Sequence, residues 1–187
     1  MLQLQTKNPG RITLVLGGAR SGKSRYGQKL AAMAKRVTFI ATAQAGDDEM
    51  TRKIARHRTE RPVEWKTIEE PLRVADTLRV AEADTDLIII DCLTFFASNQ
   101  LLACGDDVRA LEAACAELYE SLRATPCAVV LISNEVGCGV VPEYELGRRF
   151  RDLAGEINQR VAEIADSVVL MVAGLPLKLK SAPQVTT

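Results

Sequence analysis

The sequence predicts an α/β fold in which a mainly parallel sheet is covered by helices on both faces. Three observations predict it. Short apolar runs alternate with helix-period segments along most of the 187-residue chain. Runs such as Leu87-Ile88-Ile89-Ile90 are continuously apolar, as strands buried on both faces are. The first run stops at a glycine turn that leads straight into a helical segment, Gly17-Gly18-Ala19-Arg20-Ser21-Gly22-Lys23-Ser24.

In chain order, residues 1–10 are polar, end in Asn8-Pro9-Gly10 and read as a loose arm. Residues 12–16 form the first strand, and residues 22–34 a helix on which Tyr26, Leu30 and Met33 recur at helical spacing. Residues 37–41 are a second strand. Asp47-Asp48-Glu49 then open a helix with acids in its first turn, where the macrodipole favours them, and Pro62 ends it. Residues 63–68 alternate as a strand does, and residues 71–83 read as a helix. Residues 86–91 are a buried strand, 108–123 a helix, 127–133 a buried strand, 143–165 a helix and 168–172 a last strand. The tail over 181–187 reads as frayed. No repeat, low-complexity tract or linker divides the chain, so residues 1–187 are expected to form one domain.

Composition removes several functional classes. Lys plus Arg and Asp plus Glu both number 24, so no net field draws the chain to nucleic acid or an anionic membrane. Aromatic residues are only 4% of the chain, too few for a base-stacking platform. Cys92, Cys104, Cys115, Cys127 and Cys138 are odd in number and never at Cys-x-x-Cys spacing, so they read as reduced thiols rather than a disulfide frame or zinc site. No secretory leader is expected, since the apolar run at residues 12–16 is short and ends in glycines, and no apolar run approaches a membrane span. A cytoplasmic location is expected.

The glycine turn satisfies G-x-x-x-x-G-K-[ST], the P-loop pattern. A triphosphate needs many donors at short range. Glycines let successive backbone N–H groups turn inward, and the helix that follows adds its positive end. Lys23 is placed for the β- and γ-phosphates, and Ser24 offers a hydroxyl to Mg²⁺. Asp91 closes a buried strand, as the metal-side acid of such a site does; its other reading is the N-cap of the following helix. The Asn-Lys-x-Asp guanine-reading motif of small GTPases is absent.

A second group lies between Thr42 and Glu69. His57 is the one histidine in the chain, and Arg56, Arg58 and Arg61 surround it in sequence. Nearby cations disfavour the imidazolium, and a neutral imidazole is a competent nucleophile. The same arginines suit an α-phosphate. From residue chemistry alone, two readings stand: nucleotidyl transfer through a histidine, or a histidine packed beside Met50 and Ile54 on a solvated basic helix.

These residues resemble those of the bifunctional adenosylcobinamide kinase/adenosylcobinamide-phosphate guanylyltransferase family. The resemblance runs through the glycine turn, Ile40-Ala41-Thr42-Ala43, Asp48-Glu49-Met50, His57-Arg58, Arg61-Pro62, Trp65 and Thr67-Ile68-Glu69. It continues through Asp91-Cys92-Leu93-Thr94, Ser133-Asn134-Glu135-Val136-Gly137, Val141-Pro142, Phe150-Arg151-Asp152-Leu153-Ala154-Gly155, Asn158-Gln159 and Gly174-Leu175-Pro176.

The resemblance implies a RecA-like P-loop NTPase fold, a homotrimer and two reactions. The hydroxyl of adenosylcobinamide takes the γ-phosphoryl group of ATP or GTP. GMP from GTP is then carried on a histidine to adenosylcobinamide phosphate, giving adenosylcobinamide-GDP. On this chain the resemblance assigns His57 as the guanylylated residue and Gly17, Gly18, Ala19, Arg20, Ser21, Gly22, Lys23 and Ser24 as the triphosphate cradle. Thr42, Ala43, Arg58, Thr59, Glu60, Arg61, Glu69 and Asp91 fall at GTP-contacting positions. Where some relatives carry two adjacent histidines, this chain has Arg56 before His57, which leaves one candidate. A plain small-molecule kinase and a non-catalytic RecA-like nucleotide module are the competing readings. The roles of Arg20 and Glu135 stay open.

Overall fold

The computed structural model describes residues 12–46, 48–59 and 61–181, with the backbone alone at residues 49, 50, 53, 54, 56 and 57. The expectations for the two chain ends, for Asp47 and for Glu60 lie outside the described residues. The elements are β1 (Ile12–Gly17), α1 (Lys23–Ala31), β2 (Val37–Ala41), α2 (Asp48–Thr59), β3 (Lys66–Glu69) and α3 (Val74–Ala81). There follow a short 3₁₀ turn (Glu82–Asp84), β4 (Leu87–Asp91), α4 (Leu93–Cys104), α5 (Val108–Ala124), β5 (Ala128–Ile132), α6 (Glu145–Ile164), β6 (Ser167–Val172) and β7 (Leu175–Lys180).

One seven-stranded sheet has the order β3-β2-β4-β5-β1-β6-β7, and every pairing is parallel except β6 with β7. Continuous apolar character in the strands has the expected cause. On β4, Ile88 and Ile90 enter a core with α3, α4, α5 and α6, whereas Leu87 and Ile89 enter a second core with α1. Both faces are therefore covered, and the strand ends that carry the glycine turn and Asp91 open at one edge of the sheet.

Three elements differ from expectation. The strand expected at 63–68 is only Lys66–Glu69, because Pro62 opens a turn closed by Trp65 N–H donating to the Pro62 carbonyl (3.2 Å), and Val63 is fully exposed. Helix α4 was not anticipated. Its sequence LTFFASNQLLAC shows no polar stripe, since Leu93, Phe96, Ala97, Gln100 and Leu101 are all buried between the sheet and neighbouring helices. β7 was not anticipated either. It runs antiparallel at the sheet edge after a turn at Ala173 (φ 50°) and Gly174 (φ 83°), with all six residues exposed. Among the described residues no helix is long and apolar enough to cross a membrane.

Candidate functional site

The glycine turn begins where β1 ends. A Cβ on Gly17 (φ 152°) would lie 2.6 Å from both the Met171 carbonyl oxygen and Ser21 Oγ, so only glycine fits. Gly22 (φ 96°) is the N-cap of α1 and needs the left-handed conformation that glycine adopts without strain. Ser21 N–H donates to the Gly18 carbonyl (3.3 Å), and Gly174 N–H donates to the Ser21 carbonyl (3.0 Å), so the β6–β7 turn buttresses the loop. No acid occupies the first turn of α1, which leaves its N-terminal N–H groups to an anion.

Lys23 is buried, and its Nζ donates to the Gly18 carbonyl at 2.6 Å. Desolvation pushes its ammonium below the ordinary lysine range, opposed by the electrostatic influence of Cys92 and Asp91. A cleft of about 570 Å³ is lined by Lys23, Ser24, Asp91 and Asn134, with Arg20, Ser21, Gly22, Arg25, Gln28, Cys92, Phe95 and Ile132 completing it. Gly18 and Ala19 form the exposed top of the loop. Ser21 Oγ is buried without a protein partner, a polar group aimed into a loop shaped for an anion.

Asp91 reaches this cleft from the end of β4. The N-cap of α4 is Cys92, not Asp91. Thr42 fastens the corner beneath it: its hydroxyl accepts from Cys92 N–H and donates to the Cys92 carbonyl, both at 2.7 Å. Asn99 Nδ2 in turn donates to the Thr42 carbonyl (2.8 Å). Thr42 is fully buried and does not line the cleft, so its side chain shapes the Asp91–Cys92 corner. Phe96 N–H also donates to the Cys92 carbonyl, so Thr42→Val orphans chiefly the buried Cys92 N–H. Such a loss is expected to cost about 1–3 kcal/mol, read as a lower urea midpoint at fixed protein concentration. Cys92 itself is held as a thiol, since burial first and Asp91 second push it up to about 12. It is no nucleophile at neutral pH.

The second sequence group sits on the same edge of the sheet but farther along. Asp91, Ala41 and Glu69 are aligned across β4, β2 and β3. Arg58 Nη1 lies 3.7 Å from Glu69 Oε1, both exposed. The Arg61 guanidinium stacks 3.8 Å from the centroid of the buried Phe39 ring. Burial lowers its pKa, Asp91 and Glu69 oppose this, and Arg58 adds to it. Arg61 is thus tied electrostatically to the cleft, whereas Ala43, Arg58, Thr59 and Glu69 do not line it. The His57 backbone lies in α2, four residues before Arg61; its side chain is outside the described residues, as is Glu60.

Gln28, Phe95 and Asn134 are cleft residues that sequence reasoning missed. Gln28 was findable, lying one helical turn after Ser24. Asn134 follows a buried apolar strand just as Asp91 does. Phe95 carried no signal, because its helix was not anticipated.

Among the described residues no cluster of three or more His, Cys, Asp or Glu could hold a metal unaided. Ser24 and Asp91 instead offer hard oxygens in one cleft, which fits Mg²⁺ shared with phosphates and water. Asp91→Asn is expected to lower turnover on the order of 10²-fold and to raise the Mg²⁺ concentration required, measured by titrating Mg²⁺ against initial rate.

A glycine loop on a helix N-terminus, a lysine folded beneath it and an aspartate from a nearby parallel strand define a P-loop NTPase fold. In agreement, a solved structure of a prototypical ATPase from the type III secretion system of pathogenic bacteria is similar in fold, with TM-score 0.59 and 17% identity. The similarity covers 90% of this chain, which spans 57% of that one. The family profile CobU, described as cobinamide kinase / cobinamide phosphate guanyltransferase, matches residues 13–179. The chain is 49% identical over 171 residues to the bifunctional adenosylcobalamin biosynthesis protein CobP of Pseudomonas aeruginosa, covering 91% of this chain and 98% of that one. It is 45% identical over 181 residues to the bifunctional adenosylcobalamin biosynthesis protein CobU of Salmonella typhimurium, covering 90% and 99%. The chain belongs to the cobinamide kinase / cobinamide phosphate guanyltransferase family.

Proposed function

We propose that this chain performs both family reactions on adenosylcobinamide. The observation that carries the reading is the convergence of Lys23, Ser24 and Asp91 on one cleft at the N-terminus of α1, in a chain of this family. In the first reaction the acceptor hydroxyl oxygen bonds to the γ-phosphorus of ATP or GTP as the bond to the bridging oxygen breaks. Lys23 and the backbone N–H groups of the loop and the first turn of α1 orient the triphosphate and neutralise its charge, which is most of what phosphoryl transfer asks of a protein. Mg²⁺, held by Ser24 and Asp91, would supply further charge neutralisation across the phosphates.

In the second reaction His57 takes GMP from GTP, releasing pyrophosphate, and the phosphate made in the first reaction accepts it. A weak phosphate nucleophile is thereby served by two easier displacements. Arg58, Thr59, Glu60, Arg61, Glu69, Thr42 and Ala43 form the surroundings of GTP in this reading. Thr42 acts through the Asp91–Cys92 corner. The whole chain works as one domain in the cytoplasm. It assembles as a homotrimer, for which the exposed leucines of β7 (Leu175, Leu177 and Leu179) offer an apolar face.

Incubation with α-labelled GTP tests the reading. An acid-labile, alkali-stable label on the protein supports it. Phosphorylation of adenosylcobinamide without protein labelling would leave a plain kinase. Neither signal would leave a nucleotide-binding module.

A further inference from the structure

Strand β5 lies between β1, which leads into the glycine turn, and β4, which ends at Asp91. Whatever follows β5 must therefore emerge between the cradle and the metal-side acid. Ser133 N–H donates to the Val15 carbonyl and Glu135 N–H to the Gly17 carbonyl, both at 3.0 Å, which laces this segment to the start of the cradle. Asn134 is the residue between them, and it lines the cleft with Lys23 and Asp91.

Asn134 is also held unusually firmly for a residue in a loop. Its backbone N–H (2.8 Å) and its Nδ2 (3.1 Å) both donate to Thr94 Oγ1, at the start of α4. Its carbonyl accepts from Nδ2 of the buried Asn158 on α6 (3.2 Å). One amide N–H is used by Thr94, and an amide nitrogen carries two. The second N–H is fixed on a short, latched side chain at the cleft wall. Gln28 lines the same cleft from α1 on a longer side chain.

We propose that Asn134 reads the terminal phosphate, donating to a γ-phosphoryl oxygen and holding it during transfer to the acceptor hydroxyl. The inference rests on the two-reaction reading above and separates the two reactions. In phosphorylation the γ-phosphoryl group itself moves between two oxygens and must be held in line, so a donor fixed on one of its equatorial oxygens contributes most in the kinase transition state. When the α-phosphorus is attacked the γ-phosphate leaves within pyrophosphate with its own bonds unchanged, so the contact holds ground state and transition state nearly alike. Thr94 and Asn158 are positioning residues that act through Asn134.

The test compares adenosylcobinamide phosphorylation by ATP with self-labelling by α-labelled GTP, in wild type, Asn134→Ala and Asn134→Asp. For Asn134→Ala, kcat for phosphorylation is expected to fall about 100-fold with little change in KM, the loss typical of removing one preorganised donor from a transition state. Self-labelling at saturating GTP falls far less, so the ratio of the two rates shifts by most of that factor. Asn134→Asp, which sets a carboxylate against the phosphate, shifts the ratio further in the same direction. Equal losses in both reactions would mark Asn134 as merely structural and overturn the proposal, as would an unchanged phosphorylation rate. A wild-type protein that neither phosphorylates nor labels would instead overturn the functional reading on which the proposal stands.

Discussion

Lys23→Ala is expected to remove both activities together, with phosphorylation falling about 1,000-fold and triphosphate affinity falling with it. Lys23 is the buried cation of the cleft, and its Nζ already points back along the loop to the Gly18 carbonyl at 2.6 Å. Alanine leaves the backbone N–H groups in place but removes the charge proposed to meet the β- and γ-phosphates. Isothermal titration with a non-hydrolysable triphosphate, beside initial rates for both reactions, checks this. Unchanged nucleotide affinity would show that the loop is not the phosphate site.

The environment of Lys23 adds a pH signature. Burial lowers its pKa below 10.5, so it loses its proton earlier than a free lysine as pH rises. Triphosphate affinity is therefore expected to weaken with a midpoint below 10.5. The unfolded chain keeps that proton up to 10.5, so across the same window this lysine makes the fold more stable as pH rises, not less. Loss of binding there would reflect the charge on Lys23 rather than unfolding on its account.

What was legible in the sequence was what depends on neighbouring residues. The glycine turn is local: Gly17 and Gly22 take positive φ within eight residues, so the pattern alone located the loop. The continuous apolar runs located β1, β2, β4 and β5 because burial on both faces leaves no polar alternation to confuse. Helix α4 escaped for the converse reason. A helix wedged between a sheet and two other helices loses its polar stripe, and with it the periodicity that marks a helix. Thr42 shows the limit for the site. Its position beside the cleft was legible, but its hydroxyl turns inward to Cys92, a contact across 50 residues that no local pattern encodes. Asn134 was invisible as a cleft residue until the strand order set β5 between β1 and β4.

His57→Ala is expected to abolish covalent labelling by α-labelled GTP while phosphorylation of adenosylcobinamide falls by far less. The two reactions attack different phosphorus atoms, and the cleft residues proposed to serve the γ-phosphate lie on α1, β4 and the segment after β5, not on α2. The end of α2 is nevertheless tied to the same edge of the sheet. Arg61 N–H donates to the Arg58 carbonyl (3.4 Å), the Arg61 guanidinium rests on Phe39, and Asp91 acts on that guanidinium electrostatically. A helix held at this end keeps residue 57 within about one turn of the arginines that would balance an α-phosphate. The readout is the label itself: a phosphoramidate is cleaved by acid and survives alkali, whereas a phosphate ester on serine or threonine behaves in the opposite way. A label that persists in His57→Ala would put the covalent residue elsewhere. An equal loss of phosphorylation would mean that His57 supports the cleft rather than carrying the nucleotide.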